Sequence, residues 1–168
     1  MLAQSGDPVA SFQGPQCAVD EVLSSGVEYD ILVIPGGPGT APGRKNKELV
    51  DWIDTQCDVS EHVATICTGS LLLAATGRLD GRKATTNKLM YSEQTPSYPK
   101  VNWVPQARWV EDGKYLTSSG VSAGIDMALA LIAKIYGDEA AKRSTTGAEY
   151  EWHKDPNWDP FAKVHGLA

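Results

Sequence analysis

Cys67 has the clearest chemical setting of any residue in this sequence. It follows the apolar segment 62–66 and precedes 68–76, a segment rich in Leu and Ala. We expect a strand to run into Cys67 and a helix to begin within one or two residues, which is a nucleophile-elbow pattern. The N-terminus of a helix favours thiolate over thiol, and the thiolate is the nucleophile. The alternative is a small buried hydrophobic residue, which is the usual state of an intracellular cysteine.

A glycine-rich loop is the second element that can take part in this chemistry. The loop is residues 35–39 (PGGPG), and it follows the aliphatic run 31–34, which is typical of a strand buried on both faces. Ligands of open α/β sheets bind where neighbouring strands end, so we expect the loop to face the same crevice as Cys67. Backbone N–H groups of the loop and of Thr68 would then form an oxyanion hole beside the sulfur. Glycines after a strand also occur as simple turn formers, so the loop alone is a weak signal.

The remaining pattern predicts an α/β fold that positions this elbow. Besides the two strands already described, it predicts strands over 83–86, 108–110 and 115–118 and helices over 47–57, 121–136 and about 139–145. Strands that alternate with helices imply parallel pairing and a layered fold. Residues 1–29 are weakly patterned, and the tail 149–161, rich in Trp, Tyr, Asp and Pro, is expected to pack as an irregular strap.

Composition limits the classes of protein to which the chain can belong. With 168 residues, 42% hydrophobic and 21% charged, it has the size and balance of one globular domain, 1–168. Its net charge of −6 argues against a nucleic-acid surface, and no apolar run approaches the roughly 20 residues that span a bilayer. The start lacks the apolar segment of a signal peptide, and three cysteines favour free thiols in a reducing compartment. We expect a cytoplasmic protein without nucleic-acid or membrane partners.

Other polar residues are weaker candidates for function. His153, Asp155 and Asp159 suggest a metal site, but they lie in a proline-interrupted tail that cannot present a regular ligand face, so packing is favoured and no metal is expected. Asp126, within an apolar helix face, is expected to make a structural pair. Three residues after a predicted strand are expected to line the crevice near Cys67: Ser118, Ser119 and Gly120.

Three segments of the chain resemble the ThiJ/PfpI superfamily of glutamine-amidotransferase-like domains. They are the PGGPG loop, the run from Ala64 to Asn87 and the run from Tyr115 to Ile132. Within the superfamily they are most similar to the branch that contains isonitrile hydratase and the ligand domains of AraC-type regulators. The resemblance covers roughly residues 30–161 and implies a flavodoxin-like three-layer sandwich with a mostly parallel sheet.

The resemblance also implies roles for individual residues. Cys67 matches the family nucleophile and Thr68 the threonine that follows it in isonitrile hydratase. Gly37 and Thr68, with Gly36 beside them, match the backbone donors of the oxyanion hole, and Pro38 falls at the pocket. The implied activity is hydration of an isonitrile to an N-substituted formamide through a Cys67 adduct, without a cofactor, in a homodimer.

The chain also departs from the family pattern. Family members open with a strand, a helix and an acidic residue that contacts the cysteine, and this chain reaches Cys67 too soon to contain them. We expect a product that is shortened at the N-terminus, or a true start upstream of Met1. Thr68 stands where the protease and deglycase branches have histidine, so peptidase and deglycase chemistry do not transfer. Asn87 stands where the bacterial branch often has histidine, which argues against the ligand pocket of the regulators. A non-catalytic ligand-binding or redox-sensing domain and an inactive truncated paralogue remain as alternatives.

Overall fold

The structure, a computed structural model, describes residues 1–24 and 26–168. Its strands are β1 (Leu2–Ala3), β2 (Val9–Ala10), β3 (Gln16–Cys17), β4 (Glu21–Val22), β5 (Ile31–Ile34), β6 (His62–Thr65), β7 (Lys83–Ala84), β8 (Asn102–Trp103), β9 (Trp109–Asp112) and β10 (Tyr115–Ser118). Its helices are α1 (Thr40–Gly43), α2 (Lys47–Val59), α3 (Gly69–Ala74), α4 (Lys88–Gln94), α5 (Val121–Tyr136), α6 (Asp138–Gly147) and α7 (Pro160–Val164), with a 3₁₀ turn at Thr95–Ser97. None of the helices in these described ranges has the length and apolar character needed to span a membrane.

A four-stranded sheet in the order β5-β6-β10-β9 forms the centre of the fold. Strands β5, β6 and β10 run parallel, and β9 joins β10 as an antiparallel hairpin around Gly113. Ile34 is paired with Thr65, and Thr65 with Thr117, so the three parallel strands end at one edge. The α/β class and the mostly parallel sheet are confirmed. The loops that follow these strands therefore begin close together in space.

Helices cover both faces of this sheet and form a sandwich of three layers. Val63 and Ala64 are neighbours on β6, and they pack into two different apolar clusters because successive side chains of a strand point to opposite faces. One cluster joins Val63 to α2 and α3 through Ile53 and Leu73. The other joins Ala64 and β10 to α5; its buried members are Ala64, Trp109, Leu116, Met127 and Leu131. The predicted flavodoxin-like sandwich is confirmed.

Strand β5 differs from its sequence-based prediction. Leu32 and Ile34 are buried, but Ile31 is 38% exposed and Val33 52% exposed, so the strand is covered on one face only. The reason is its place at the edge of the described sheet, because α5 packs mainly over β9 and β10. A continuous aliphatic run is compatible with burial on either one or two faces, so the pattern did not determine which.

Shorter elements also deviate from the predicted boundaries. The predicted strand 83–86 ends at Ala84, because the N–H of Thr85 donates to the Thr117 hydroxyl instead of continuing a strand ladder. Helix α3 covers 69–74 rather than 68–76. The weakly patterned N-terminal part forms the short parallel pair β1–β4 and the hairpin β2–β3. It is held to α2 by Trp52, whose indole N–H donates to the Ser24 carbonyl at 2.8 Å.

The C-terminal strap is fastened to the sandwich by Asp126 of α5. This carboxylate is fully buried and forms an ion pair with Arg108, with its Oδ2 2.6 Å from the guanidinium Nη2. Its Oδ1 accepts the Tyr150 hydroxyl at 3.1 Å and the His153 backbone N–H at 3.0 Å. The strap is irregular as far as Asp159, which caps the short helix α7 by accepting the N–H of Phe161. The expected structural role of Asp126 is thus a junction between α5, the segment before β9 and the tail.

Asp126→Ala is expected to lower the free energy of unfolding by about 3–5 kcal/mol, because it leaves the buried Arg108 guanidinium without its counter-charge. Urea denaturation monitored by tryptophan fluorescence would measure the change. Asp51→Ala is the matched control, since Asp51 pairs with Lys47 on the exposed side of α2 and its loss should cost less than about 1 kcal/mol. Equal effects of the two substitutions would contradict the junction role.

Candidate active site

Cys67 lies at a sharp turn between β6 and α3 and has a positive φ of 57°. Few residues other than glycine adopt this left-handed conformation, which costs about 1–2 kcal/mol and persists only where the surrounding structure enforces it. The Cys67 carbonyl accepts the hydroxyls of Ser70 at 3.1 Å and Thr86 at 3.2 Å, which hold the turn from both sides. The thiol is half-buried, so it remains open to reagents. The predicted strand, cysteine and helix occur in this order.

Two glycines allow the turn to pack against the end of β5. A side chain at Gly36 would place its Cβ 2.6 Å from the Ile66 carbonyl and 2.7 Å from the Cys67 Cβ, distances that real Cβ atoms do not show. At Gly69 a Cβ would overlap the Ile34 carbonyl oxygen. Backbone of the neighbouring strand and loop occupies the space beside Gly69, so the glycine loop and the elbow are in direct contact.

Thr68 connects the elbow to the glycine loop through its side chain. Its Oγ1 accepts the N–H of Gly37 at 2.9 Å and lies 3.0 Å from the Thr40 hydroxyl. The Gly37 N–H, expected to be an oxyanion donor, is thus already engaged by Thr68. Within the described residues, the backbone N–H groups of Gly36 and Thr68 have no acceptor. Gly36 packs against the Cys67 Cβ and Thr68 follows Cys67 directly, so both unengaged donors belong to the elbow.

Cys67 opens into a cavity of about 330 Å³, a volume within the range of small-molecule sites. Its walls come from the glycine loop, α1, α3 and α4; the lining residues are Gly37, Pro38, Thr40, Ala41, Arg44, Cys67, Thr68, Leu71, Asn87, Met90 and Gln94. Leu71 and Met90 make much of the wall apolar, and Arg44 is the charged lining residue. The set contains no Asp, Glu or His, so it offers no side chain of the usual kinds for proton transfer.

The residues expected to line the crevice are divided between two places. Pro38 lies in the Cys67 cavity, whereas Ser119 and Gly120 line a neighbouring cavity of about 430 Å³. Asn87 lines both cavities, and its side chain caps α4 by accepting the N–H of Met90 at 3.2 Å. Ser118 lines neither, because it is fully buried and its hydroxyl donates to the Thr65 carbonyl at 3.2 Å.

Lys88 is a buried lysine in the neighbouring cavity, and no sequence pattern pointed to it. Its Nζ donates to the Thr85 hydroxyl at 2.6 Å and to the Ala107 carbonyl at 2.7 Å. Burial lowers the pKa of Lys88 to about 8, although the negative charge of Asp159 acts in the opposite direction. Lys88 therefore loses its proton at a lower pH than an exposed lysine does.

The other cysteines and polar residues considered from the sequence occupy positions with structural roles or at the surface. Cys17 is exposed, and Cys57 is buried in the core, where burial raises the pKa of its thiol to about 11. Cys57 is therefore protonated and inert at neutral pH. Asp155 accepts the N–H of Asn157 in a local turn, while Asp159 caps α7. No group of three or more His, Cys, Asp or Glu side chains suited to a metal occurs within the ranges that the structure covers.

Comparisons with known proteins agree with this architecture. A model of the DJ-1/PfpI family matches residues 1–134. The isonitrile hydratase of Pseudomonas putida is 33% identical over 144 residues, which are 85% of this chain and 61% of that protein. The HTH-type transcriptional regulator CdhR of Pseudomonas aeruginosa is 33% identical over 84% of this chain and 41% of its own length. This chain thus spans less than two thirds of either relative.

A solved structure extends the likeness to three dimensions. A THiJ/PfpI family protein from Pseudomonas syringae superposes with a TM-score of 0.83 at 24% sequence identity, covering 99% of this chain and 71% of that one. At this level of identity the match establishes a shared fold.

Gly36→Ala is expected to lower the free energy of unfolding by roughly 2–4 kcal/mol, because backbone of the elbow must move to admit the methyl group. Gly39→Ala is the matched control in the same loop: nothing lies within 4 Å of its Cβ position and its φ of −61° suits alanine. Urea denaturation would give both values, and the rate of Cys67 alkylation would report on the turn. Equal stability of the two variants would show that the elbow does not depend on this contact.

The lowered pKa of Lys88 predicts a pH dependence of stability. Its pKa is about 8 in the folded protein and near the ordinary value of 10.5 when unfolded. Between these values the unfolded chain binds the proton and the folded chain does not, so stability rises with pH. From pH 8 to 10.5 the wild type should gain about 3 kcal/mol relative to Lys88→Met, as measured by urea denaturation. Lys100→Met, at an exposed position, should follow the wild type; parallel curves for all three proteins would contradict the prediction.

Proposed function

Because this chain belongs to the DJ-1/PfpI family, we propose that it is a small-molecule cysteine enzyme that hydrates isonitriles to N-substituted formamides. The observation that carries the proposal is the half-buried Cys67 at a strained elbow, open to an apolar cavity of about 330 Å³. The choice of isonitrile is supported by the 33% identity with the P. putida isonitrile hydratase. The activity is that of a lyase that adds water.

The reaction begins with attack of the Cys67 thiolate on the terminal carbon of the isonitrile. An S–C bond forms, the electron pair of one C–N π bond moves to nitrogen, and the lone pair that the isonitrile carbon already carries takes a proton to give a thioformimidate, Cys67–S–CH=N–R. Water then adds to the same carbon, and the tetrahedral adduct breaks its C–S bond to release the formamide HC(=O)–NH–R and the thiol. The N–H groups of Thr68 and Gly36 would stabilise negative charge on the adduct.

The proton donor in this scheme is water. None of the residues that line the Cys67 cavity is Asp, Glu or His, so no side chain of these types is placed to protonate the carbon. Proton transfer by a positioned side chain contributes roughly a hundredfold to ten-thousandfold in rate. Turnover by the chain alone is therefore expected to be slow.

Two further features belong to the same proposal. We propose a homodimer, the assembly that the family resemblance implies. We also propose a cytoplasmic location, because the reaction needs a reduced Cys67 and a reducing compartment preserves free thiols. The partner in function is a small organic molecule rather than nucleic acid or membrane, in keeping with the net charge of −6.

A non-catalytic role is the second candidate, and the absence of an acid among the cavity residues favours it. The cavity would then hold a ligand without turnover, or Cys67 would oxidise reversibly to sulfenic acid as a redox sensor. A relative of the regulatory type, CdhR, supports a ligand-binding role. An inactive paralogue would show neither property.

Purified protein incubated with cyclohexyl isonitrile is expected to release N-cyclohexylformamide, measured by gas chromatography. Cys67→Ala should abolish the release, with a loss of at least about a thousandfold, because it removes the nucleophile. Cys17→Ala is the matched control at an exposed cysteine and should retain full activity.

Equal inertness of the wild type and Cys67→Ala would overturn the hydratase proposal. Mass spectrometry after mild peroxide treatment then separates the remaining candidates. Selective oxidation of Cys67 over the exposed Cys17 supports the sensor, while equal or no oxidation leaves the inactive paralogue.

A further inference from the structure

Arg44 gives the Cys67 cavity a charge that the proposed reaction does not use. It follows α1 and lines the cavity together with the thiol. The other lining side chains are apolar or neutral, apart from Cys67 itself. A single fixed cation in such a cavity determines which ligand charges can enter.

The guanidinium is held in place without a carboxylate partner. Its Nη2 donates to Gln94 Oε1 at 2.8 Å, and no ion pair within 4.0 Å involves Arg44 among the described residues. The Gln94 side chain is oriented in turn by Glu93, whose carboxylate accepts Gln94 Nε2 at 2.7 Å. Glu93 is exposed and does not line the cavity, so Gln94 stands between its charge and Arg44. Among the residues that the structure describes, four of the five N–H donors of the Arg44 side chain have no protein acceptor.

The apolar walls around Arg44 strengthen its electrostatic attraction for a negatively charged ligand. Leu71, Met90, Ala41 and Pro38 line the same cavity and exclude polar groups from much of its surface. Electrostatic attraction is stronger in a partly apolar cavity than in water, and arginine binds carboxylates through two parallel hydrogen bonds. An unpaired arginine beside a nucleophile therefore fits a ligand that carries an anionic group at one end and an electrophilic carbon at the other.

We propose that the substrates of this cavity carry a carboxylate, which Arg44 binds while Cys67 attacks the electrophilic carbon. For an isonitrile, the substrate class is then an isocyano acid. The identity of the electrophile rests on the proposed function, whereas the selectivity for negative charge does not.

Alkylation of the protein's own cysteines tests the charge selectivity without any isonitrile. Iodoacetate and iodoacetamide are nearly the same size, and each forms an S–CH₂ bond to the thiolate with loss of iodide, but only iodoacetate is an anion. The ratio of their rates is measured at Cys67 and, in the same molecule, at the exposed Cys17 by peptide mass spectrometry. The ratio at Cys67 should exceed that at Cys17 by about tenfold, as one charge-assisted contact implies.

Variants of Arg44 connect this selectivity to the guanidinium. Arg44→Gln should lower the ratio at Cys67 to that at Cys17, and Arg44→Lys should retain part of it. Arg143→Gln removes an equal charge from the exposed surface of α6 and should change neither ratio. Equal ratios at the two cysteines of the wild type, or a Cys67 ratio unaffected by Arg44→Gln, would overturn the proposal.

Turnover assays separate this inference from the proposed function. Isocyanoacetate should be preferred over its methyl ester, and Arg44→Gln should raise KM for the acid about tenfold more than KM for the ester. Turnover without preference for the acid would overturn the inference and leave the hydratase proposal intact. Charge-selective alkylation without turnover of either compound would support the inference and overturn the hydratase.

Discussion

The carbonyl oxygen of Ile34 accepts the N–H of Ile66 at 3.0 Å and also faces Gly69 so closely that no side chain fits there. This approach of two backbone segments brings the end of β5 against the first turn of α3. It compels Cys67 to adopt a left-handed conformation, because the chain must reverse within the space that the neighbouring loop leaves. The exposure of the thiol, the hydrogen bond between Gly37 and Thr68 and the shape of the cavity all follow from this contact.

The strained conformation of Cys67 is maintained by hydrogen bonds from the residues around it. Thr68 holds the glycine loop through the Gly37 N–H, while the hydroxyls of Ser70 and Thr86 hold the Cys67 carbonyl. The sulfur is thus presented by backbone geometry and by neutral hydrogen bonds. Charge enters the cavity from a separate element, through Arg44 after α1. The elbow therefore positions the nucleophile, while the residue after α1 provides the charge that would bind a ligand.

Local patterns in the sequence predicted the elements that local interactions determine. The elbow was predictable because an apolar strand, Cys67 and a helical segment follow one another directly, and Gly69 marks the close approach. The exposure of β5 was not, since its place at the edge of the sheet depends on where α5 packs. Arg44, Met90 and Gln94 were missed for the same reason. Met90 and Gln94 meet Cys67 only because α4 is anchored beside the sheet, in part through the buried contact of Lys88 with Ala107, whereas Arg44 reaches the cavity from the end of α1; no periodicity signals either arrangement.

The Asp126 junction makes the C-terminal strap part of the cooperative unit of the fold. Lifting the strap would break the bonds from Tyr150 and His153 and open the buried ion pair with Arg108 to water. The amide hydrogen of His153, which is bonded to the buried Asp126, should therefore exchange with solvent more slowly than the amides of exposed neighbours such as Lys154. An irregular segment rich in proline and aspartate, which by composition resembles a flexible tail, is thus fixed to the core.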